Sequence, residues 1–227
     1  MLETRFPRIP GDVGHGETWP FPVMLRKILG ASVHRVVNQG AEGLVEAFVE
    51  AGLDLVAQGA DGITTSCGFM ALHQQTLKAR LPVPVATSSL LQVQMVNSLL
   101  GGGKRAGVVT ANRASLSEAH LKAVHVPSDT PIAGLEDSEE FARVILGDET
   151  VLDVEKASEE VTQAALRLQQ EHPEVGALVL ECTNMAPYAP RLRQVTGLPV
   201  YSIYSMILWF QAGLQPRVFP RGITDSR

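Results

Sequence analysis

At 227 residues, with 45% hydrophobic and only 19% charged side chains, the chain can fill one large α/β domain or two small lobes and is too apolar to stay disordered. A net charge of −5 with no basic block argues against nucleic acid or an anionic membrane as a main partner, since both need clustered Lys and Arg. The longest apolar runs, 176–180 and 203–210, are too short to cross a bilayer, and no Lys/Arg run precedes an apolar stretch at the N-terminus; a cytoplasmic protein without a signal peptide is expected.

In chain order, helix-period stretches alternate with short β-branched runs. A helix is expected over 41–57, then a strand at 62–66 and a helix at 69–80. A strand at 83–87 and a helix at 90–100 follow. Gly101-Gly102-Gly103 then punctuates the chain. Beyond it come a strand at 106–110, a helix at 115–124, a strand at 132–135 and helices at 138–146 and 152–171. Strands at 177–181 and 200–203 and an apolar helix at 205–212 complete the pattern. Such alternation predicts βαβ units and mostly parallel sheets. The expected fold is therefore α/β, with two pseudo-symmetric lobes. Lobe one covers 1–98 plus 204–227, lobe two covers 99–203, and the site lies in the cleft between them. The helix carrying Met206, Leu208, Trp209 and Phe210 is too apolar for a free surface and should pack on lobe one or on a second subunit, so a homo-oligomer, a dimer, is expected.

A repeat supports two lobes. Shifting the chain by 115 residues carries Cys67 onto Cys182, Met70 onto Met185, Ala71 onto Ala186, Leu77 onto Leu192 and Pro84-Val85 onto Pro199-Val200. Each copy reads strand, Cys-x-x-Met-Ala, helix, then a second strand after Pro. Each cysteine thus stands where a strand ends and a helix begins, the place where open parallel sheets bind ligands. Partial positive charge and free N–H groups there favour a thiolate. A single free Cys is more often a small buried hydrophobe; two at equivalent places point to chemistry. Inverting a stereocentre is the best match, because one group must take the Cα proton from one face while another returns a proton to the other. The two sulfurs should then face each other across one cleft, unbridged.

The segment Asp61-Gly-Ile-Thr-Thr-Ser-Cys67-Gly-Phe, the later Ala177-Leu-Val-Leu-Glu-Cys182-Thr-Asn-Met, and Leu-Pro-Val before each following element resemble the aspartate/glutamate racemase superfamily, which includes hydantoin racemases, maleate isomerases and arylmalonate decarboxylases. The stretch Arg5-Phe-Pro-Arg-Ile-Pro-Gly-Asp12 is similar to a racemase-like branch of that group. The resemblance implies a cofactor-independent racemase or epimerase of an amino acid or related small carboxylate, with Cys67 and Cys182 as the acid/base pair. It implies that Thr183 and the backbone N–H groups after each cysteine, at Gly68, Phe69 and Asn184, hold the substrate carboxylate, helped by Thr110 and Asn112. Helix capping is the competing role for Asn112, Ser115, Ser88 and Ser89.

Two departures from the family pattern stand out. Amino-acid racemases of this type commonly carry Asn-Thr after the first cysteine, where Gly68-Phe69 stands here. The apolar strand that opens the family is largely missing from Met1-Leu2-Glu3-Thr4-Arg5, either because the start lies further upstream or because the strand is abbreviated. Strand alternation directs Glu181 away from Cys182 and favours a structural role for it; Pro10-Gly11-Asp12 reads as a turn. The six histidines show no metal spacing, and no metal is expected. A maleate-type cis–trans isomerase, a hydantoin racemase, a decarboxylase using Cys182 alone and a non-catalytic small-molecule binder are the alternatives on the same scaffold.

Overall fold

The computed structural model describes residues 1–219. All six expected strands form, and every pairing is parallel. β1 (Ile63–Thr64) and β2 (Val85–Ala86) make a two-stranded sheet. β3 (Arg105–Thr110), β4 (Ile132–Gly134), β5 (Val175–Leu180) and β6 (Val200–Tyr201) make a four-stranded sheet in the order β4-β3-β5-β6. In sequence, the two sheets lie on either side of Gly101-Gly102-Gly103. Val108 and Val109 of β3 and Ala177, Leu178, Val179 and Leu180 of β5 are fully buried. Helices cover both faces of these central strands, which is why they read as continuous apolar runs rather than alternating ones.

The helices are α1 (Val45–Ala57), α2 (Gln74–Arg80), α3 (Val93–Leu99), α4 (Glu118–Ala123), α5 (Val154–Glu171), α6 (Ala189–Thr196) and α7 (Ile203–Leu214). Tight 3₁₀ turns lead into three of them: Gly68–His73 before α2, Ser89–Gln92 before α3 and Thr183–Tyr188 before α6. The expected helix at 138–146 narrows to a π-helical turn at Ala142–Leu146, and a second such turn at His34–Asn38 was not legible from periodicity, being too short to show one. Local chemistry sets the ends. The Asp153 side chain accepts from the Lys156 N–H at 3.0 Å to start α5. Ser202 and Ser205 form a reciprocal capping box at α7. Pro190 falls in the first turn of α6, where its missing N–H leaves no bond unmade.

The repeat survives in three dimensions. β1 pairs with β2 through Ile63 with Val85 and Thr64 with Ala86; β5 pairs with β6 through Leu178 with Val200 and Val179 with Tyr201, each position 115 residues on. Cys67 and Cys182 both stand immediately before a 3₁₀ turn that runs into a helix. α7 seals the join on one side through a cluster of Val13, Trp19, Ala86, Ala186, Ile203, Met206 and Ile207, drawn from both halves of the chain. The Trp19 ring stacks on Tyr204 with centroids 5.3 Å apart, whereas Trp209 points outward, 62% exposed. The last part of the expected lobe one, 220–227, lies outside the described residues. Among the described residues no helix is long and apolar enough to cross a membrane.

Candidate active site

Both thiols are free, and both line one small cavity of about 20 Å³, space for roughly one water. Cys67 and Phe69 form one side of it, and Glu181, Cys182, Thr183 and Asn184 the other. Leu2, Phe6 and Arg8 of the N-terminal segment, with Ile145 and Leu146, are also part of the wall. Hydrogen bonds cross between the halves beneath the sulfurs. The Thr183 hydroxyl donates to the Ser66 carbonyl at 2.9 Å, and the Ser89 hydroxyl donates to the Leu180 carbonyl at 2.6 Å.

The structure brings Cys67, Phe69, Cys182, Thr183 and Asn184 together. Gly68 is buried beside them, its backbone against the Glu181 carboxyl. Thr110 is buried nearby but its hydroxyl is already used, donating to Glu181 Oε2 at 2.8 Å. Asn112 is not on the wall; its Oδ1 accepts from the Ser115 N–H at 2.9 Å and so acts as a cap. Ser88 is likewise a cap, accepting from the Leu90 N–H.

Of two residues that sequence reasoning set aside, one lines the cavity and the other is bonded to its wall. Glu181 lines the same cavity as Cys182. The alternation argument fails because β5 ends at Leu180, so Glu181 and Cys182 lie past the pleat that would send them to opposite faces. Glu181 is 1% exposed; Oε2 accepts from Thr110 and from the Ala111 N–H at 3.3 Å, and Oε1 has no partner among the described residues. Asp12 is more than a turn residue. Its carboxylate accepts from the Gly14 N–H at 2.7 Å, pairs with Arg8 at 3.0 Å and accepts from Asn184 Nδ2 at 2.6 Å. That last bond turns Asn184 Oδ1 toward Cys182, whose Sγ stands 3.5 Å away as donor. The repeat held the available signal for Glu181, which occupies the position equivalent to Ser66.

Burial, not the turn ends, dominates the thiols' electrostatics. Desolvation, followed by the Glu181 charge, pushes Cys67 up to about 12, against the pull of the Phe69 and Met70 N–H groups and of Arg8. Cys182 is raised well above the usual thiol range by the same two causes, with Cys67 and Asp12 adding to them and the Asn184 N–H opposing. Desolvation lifts Glu181 to about 7, with the Thr110 and Ala111 bonds pulling the other way. A site with two costly thiolates and one carboxyl poised near neutrality is equipped for proton transfer. A larger cavity of about 400 Å³ lies behind β1, walled by Trp19, Phe21, Phe48, Leu55, Ile207 and Phe210 among others; neither thiol reaches it.

No model of a known protein family matches the chain. Among curated proteins it is 27% identical to a dimethylsulfoniopropionate lyase of Durusdinium sp. clade D, over 88% of this chain and 68% of that protein. It is 29% identical to dimethylsulfoniopropionate lyase 3 of Emiliania huxleyi, over 88% of this chain and 55% of that one. The chain therefore spans between about half and two thirds of the length of these relatives. Among solved structures, a glycine-to-cysteine mutant of arylmalonate decarboxylase superposes with a TM-score of 0.62 at 17% identity, over 94% of this chain and 90% of that one. Allantoin racemase from Klebsiella pneumoniae gives 0.56 at 21% identity, over 74% and 64%. Glutamate racemase from Bacillus anthracis gives 0.51 at 19%, over 85% and 71%. The chain has the fold of the aspartate/glutamate/hydantoin racemase superfamily. The likeness read from the two cysteine segments thus holds at the level of fold, and the relatives found by both comparisons are enzymes.

Proposed function

We propose that the chain is an enzyme that moves a proton at the carbon next to a carboxylate, with Cys67 and Cys182 as acid and base, and that its reaction is racemisation or epimerisation of a small carboxylated substrate. The observation that carries this reading is that the two thiols, one from each half of a structural repeat, line a single cavity. A thiolate on one face takes the Cα proton, the electron pair spreads into the carboxylate, and the thiol on the other face returns a proton. N–H groups at the two turn starts, at Phe69 and Asn184 among them, would hold the carboxylate where its charge grows. No redox or group-transfer step is needed.

The relatives named as dimethylsulfoniopropionate lyases favour a second outcome of the same first step. If the β carbon bears a leaving group, the carbanion expels it instead of being reprotonated, and the product is an alkene. The test is a panel of enantiopure amino acids, hydantoins and dimethylsulfoniopropionate incubated in D₂O and followed by proton NMR and polarimetry. Deuterium at Cα with loss of optical rotation supports the racemase; release of dimethyl sulfide without inversion of any other substrate supports the lyase. No exchange and no product across the panel, with ligands still bound, would turn the reading into that of a binding protein.

A further inference from the structure

Resting on that proton-transfer reading, we infer that Glu181 is the third acid–base group of the site, a carboxyl that stores the proton of whichever thiol is acting as thiolate. Three geometric observations carry it. Glu181 lines the same small cavity as both sulfurs. Oε2 is fixed by the Thr110 hydroxyl and the Ala111 N–H, which leaves Oε1 as a buried oxygen with no partner among the described residues. Finally, the chain makes room for it: a Cβ on Gly68 would lie 2.1 Å from Oε1, so a side chain at 68 and the Glu181 carboxyl cannot coexist as placed. The departure from Asn-Thr after the first cysteine is therefore matched by a carboxyl that fills the vacated space.

An acceptor is needed because a thiol whose proton is costly to lose in an apolar cavity requires a nearby base. The proton count closes without any outside reactant. The S–H bond of one cysteine breaks as the O–H bond of Glu181 forms, moving the negative charge from carboxylate to sulfur. That sulfur takes the Cα proton, and the second thiol gives its proton to the opposite face and becomes the thiolate. Glu181 then returns its proton to the second sulfur, which restores two thiols and one carboxylate. The titratable and charged groups on the elements around it are Cys67, Cys182, Tyr188 at the end of the turn after Cys182, and the Arg8–Asp12 pair of the N-terminal segment; the end of β3 contributes a hydroxyl and an N–H, and Gly68 only backbone.

Glu181→Gln keeps an oxygen for Thr110 and Ala111 but cannot accept a proton at neutral pH. It should lower Cα exchange in D₂O by about 10²-fold with KM unchanged, and should remove the acid limb expected of wild type near pH 7. Infrared spectroscopy of the substrate-free protein tests whether a thiol turns to Glu181 once the carboxyl is charged. The S–H stretch of wild type should shift to lower frequency as the pH rises through about 7, when Glu181 ionises and the thiol begins to donate to it, and should stay fixed in Glu181→Gln. An S–H band that ignores pH in wild type, or moves equally in the variant, overturns the inference. If wild type exchanges Cα protons and the variant does so within twofold, the role of Glu181 falls while the function stands. If the S–H band moves as described but no substrate is exchanged, the proton store stands and the racemase reading falls.

Discussion

Around the first cysteine the neighbours are Ser66 and Gly68; around the second, at the equivalent positions of the repeat, they are Glu181 and Thr183. The backbone frame is shared, since strand register, turn and helix recur at a constant offset. The chemistry is not. Cys67 sits near the Phe69 and Met70 N–H groups and the Arg8 charge, all of which favour a thiolate. Cys182 faces the Asn184 side-chain carbonyl oxygen, which favours a thiol, and feels the Asp12 charge besides the Glu181 charge that acts on both sulfurs. The shared frame thus surrounds its two sulfurs with different groups, and the N–H groups and Arg8 beside Cys67 lead us to expect that it ionises more readily than Cys182, which donates to Asn184. The pair still titrates as a unit, because each sulfur's charge raises the other's cost.

The largest expected effect comes from removing either sulfur. Cys67→Ser and Cys182→Ser should each lower stereoinversion by about 10³-fold or more, since a hydroxyl is a far weaker acid than a thiol. If the asymmetry is real, the two variants differ in what remains. Cys182→Ser, which keeps the more easily ionised sulfur, should still exchange the Cα proton of one enantiomer in D₂O, and Cys67→Ser should do so more slowly. Equal residual exchange would erase the distinction between the half-sites; full racemisation by Cys67→Ser would remove the two-thiol mechanism altogether.

Next in size is the cost of housing Glu181. Its carboxyl is raised to about 7 from the ordinary 4.5 by burial. Between those values the unfolded chain gives up the proton and the folded chain keeps it, so stability falls as the pH rises from about 4.5 to 7 and stays low above that. The loss is about 3 kcal/mol. Glu181→Gln carries no such titration, so its melting temperature relative to wild type should climb by several degrees between pH 4.5 and pH 8. Calorimetry at the two pH values checks it; a constant difference would mean that Glu181 is not buried as a free acid. The equivalent Ser66 cannot titrate, and Ser66→Ala should show no pH trend.

Gly68 and Thr183 sharpen the same contrast. Adding a Cβ at Gly68 meets Glu181 Oε1 at 2.1 Å and the Glu181 carbonyl at 2.3 Å, and the carbonyl cannot rotate away. Gly68→Ala should therefore destabilise by about 1–3 kcal/mol through overpacking. At the equivalent place Thr183→Ala removes only the bond to the Ser66 carbonyl, a loss of about 1 kcal/mol. Urea denaturation of the two variants gives both numbers, and a Gly68→Ala variant of wild-type stability would show that the close approach relaxes.

These pairs also mark what could be read from the sequence. β3 and β5 were legible because burial on both faces makes their apolar runs unmistakable, and the cysteines because the repeat placed them at the same strand–turn junction. Glu181 was misdirected by assuming that the pleat continued one residue past Leu180. Asp12 read as a turn because its turn bond to the Gly14 N–H is local, whereas the Asn184 bond spans 172 positions and has no signature in the chain. Asn112 was offered as a ligand because amides after a strand both bind and cap; only the Ser115 bond decides between those roles. The wall contributed by Leu2, Phe6, Ile145 and Leu146 had no legible signal, since apolar residues in loops carry no period.

The smallest effect concerns which half-site opens first. A cavity of about 20 Å³ cannot hold a carboxylated substrate, so the wall must move before one enters. The N-terminal segment is the better candidate, and its ties are uneven. Near Cys67 it is held by the Leu2 N–H on Ser66 Oγ at 3.0 Å and by Asp148, which accepts from the Arg5 N–H at 2.6 Å and the Phe6 N–H at 3.3 Å. Near Cys182 it is held by Asp12 on Asn184, which is buried. Asp148→Asn keeps an acceptor and a residue tolerant of the positive φ of 56° found there, but drops the charge that pairs with the exposed Arg5. That pair is worth about 0.5 kcal/mol, or roughly a twofold rise in the open fraction. Iodoacetamide labelling followed by peptide mass spectrometry should then show Cys67 reacting about twofold faster than in wild type while Cys182 is unchanged. Equal acceleration at both sulfurs would mean that the segment lifts as one piece and that the Asp12–Asn184 bond does not hold the second half-site on its own.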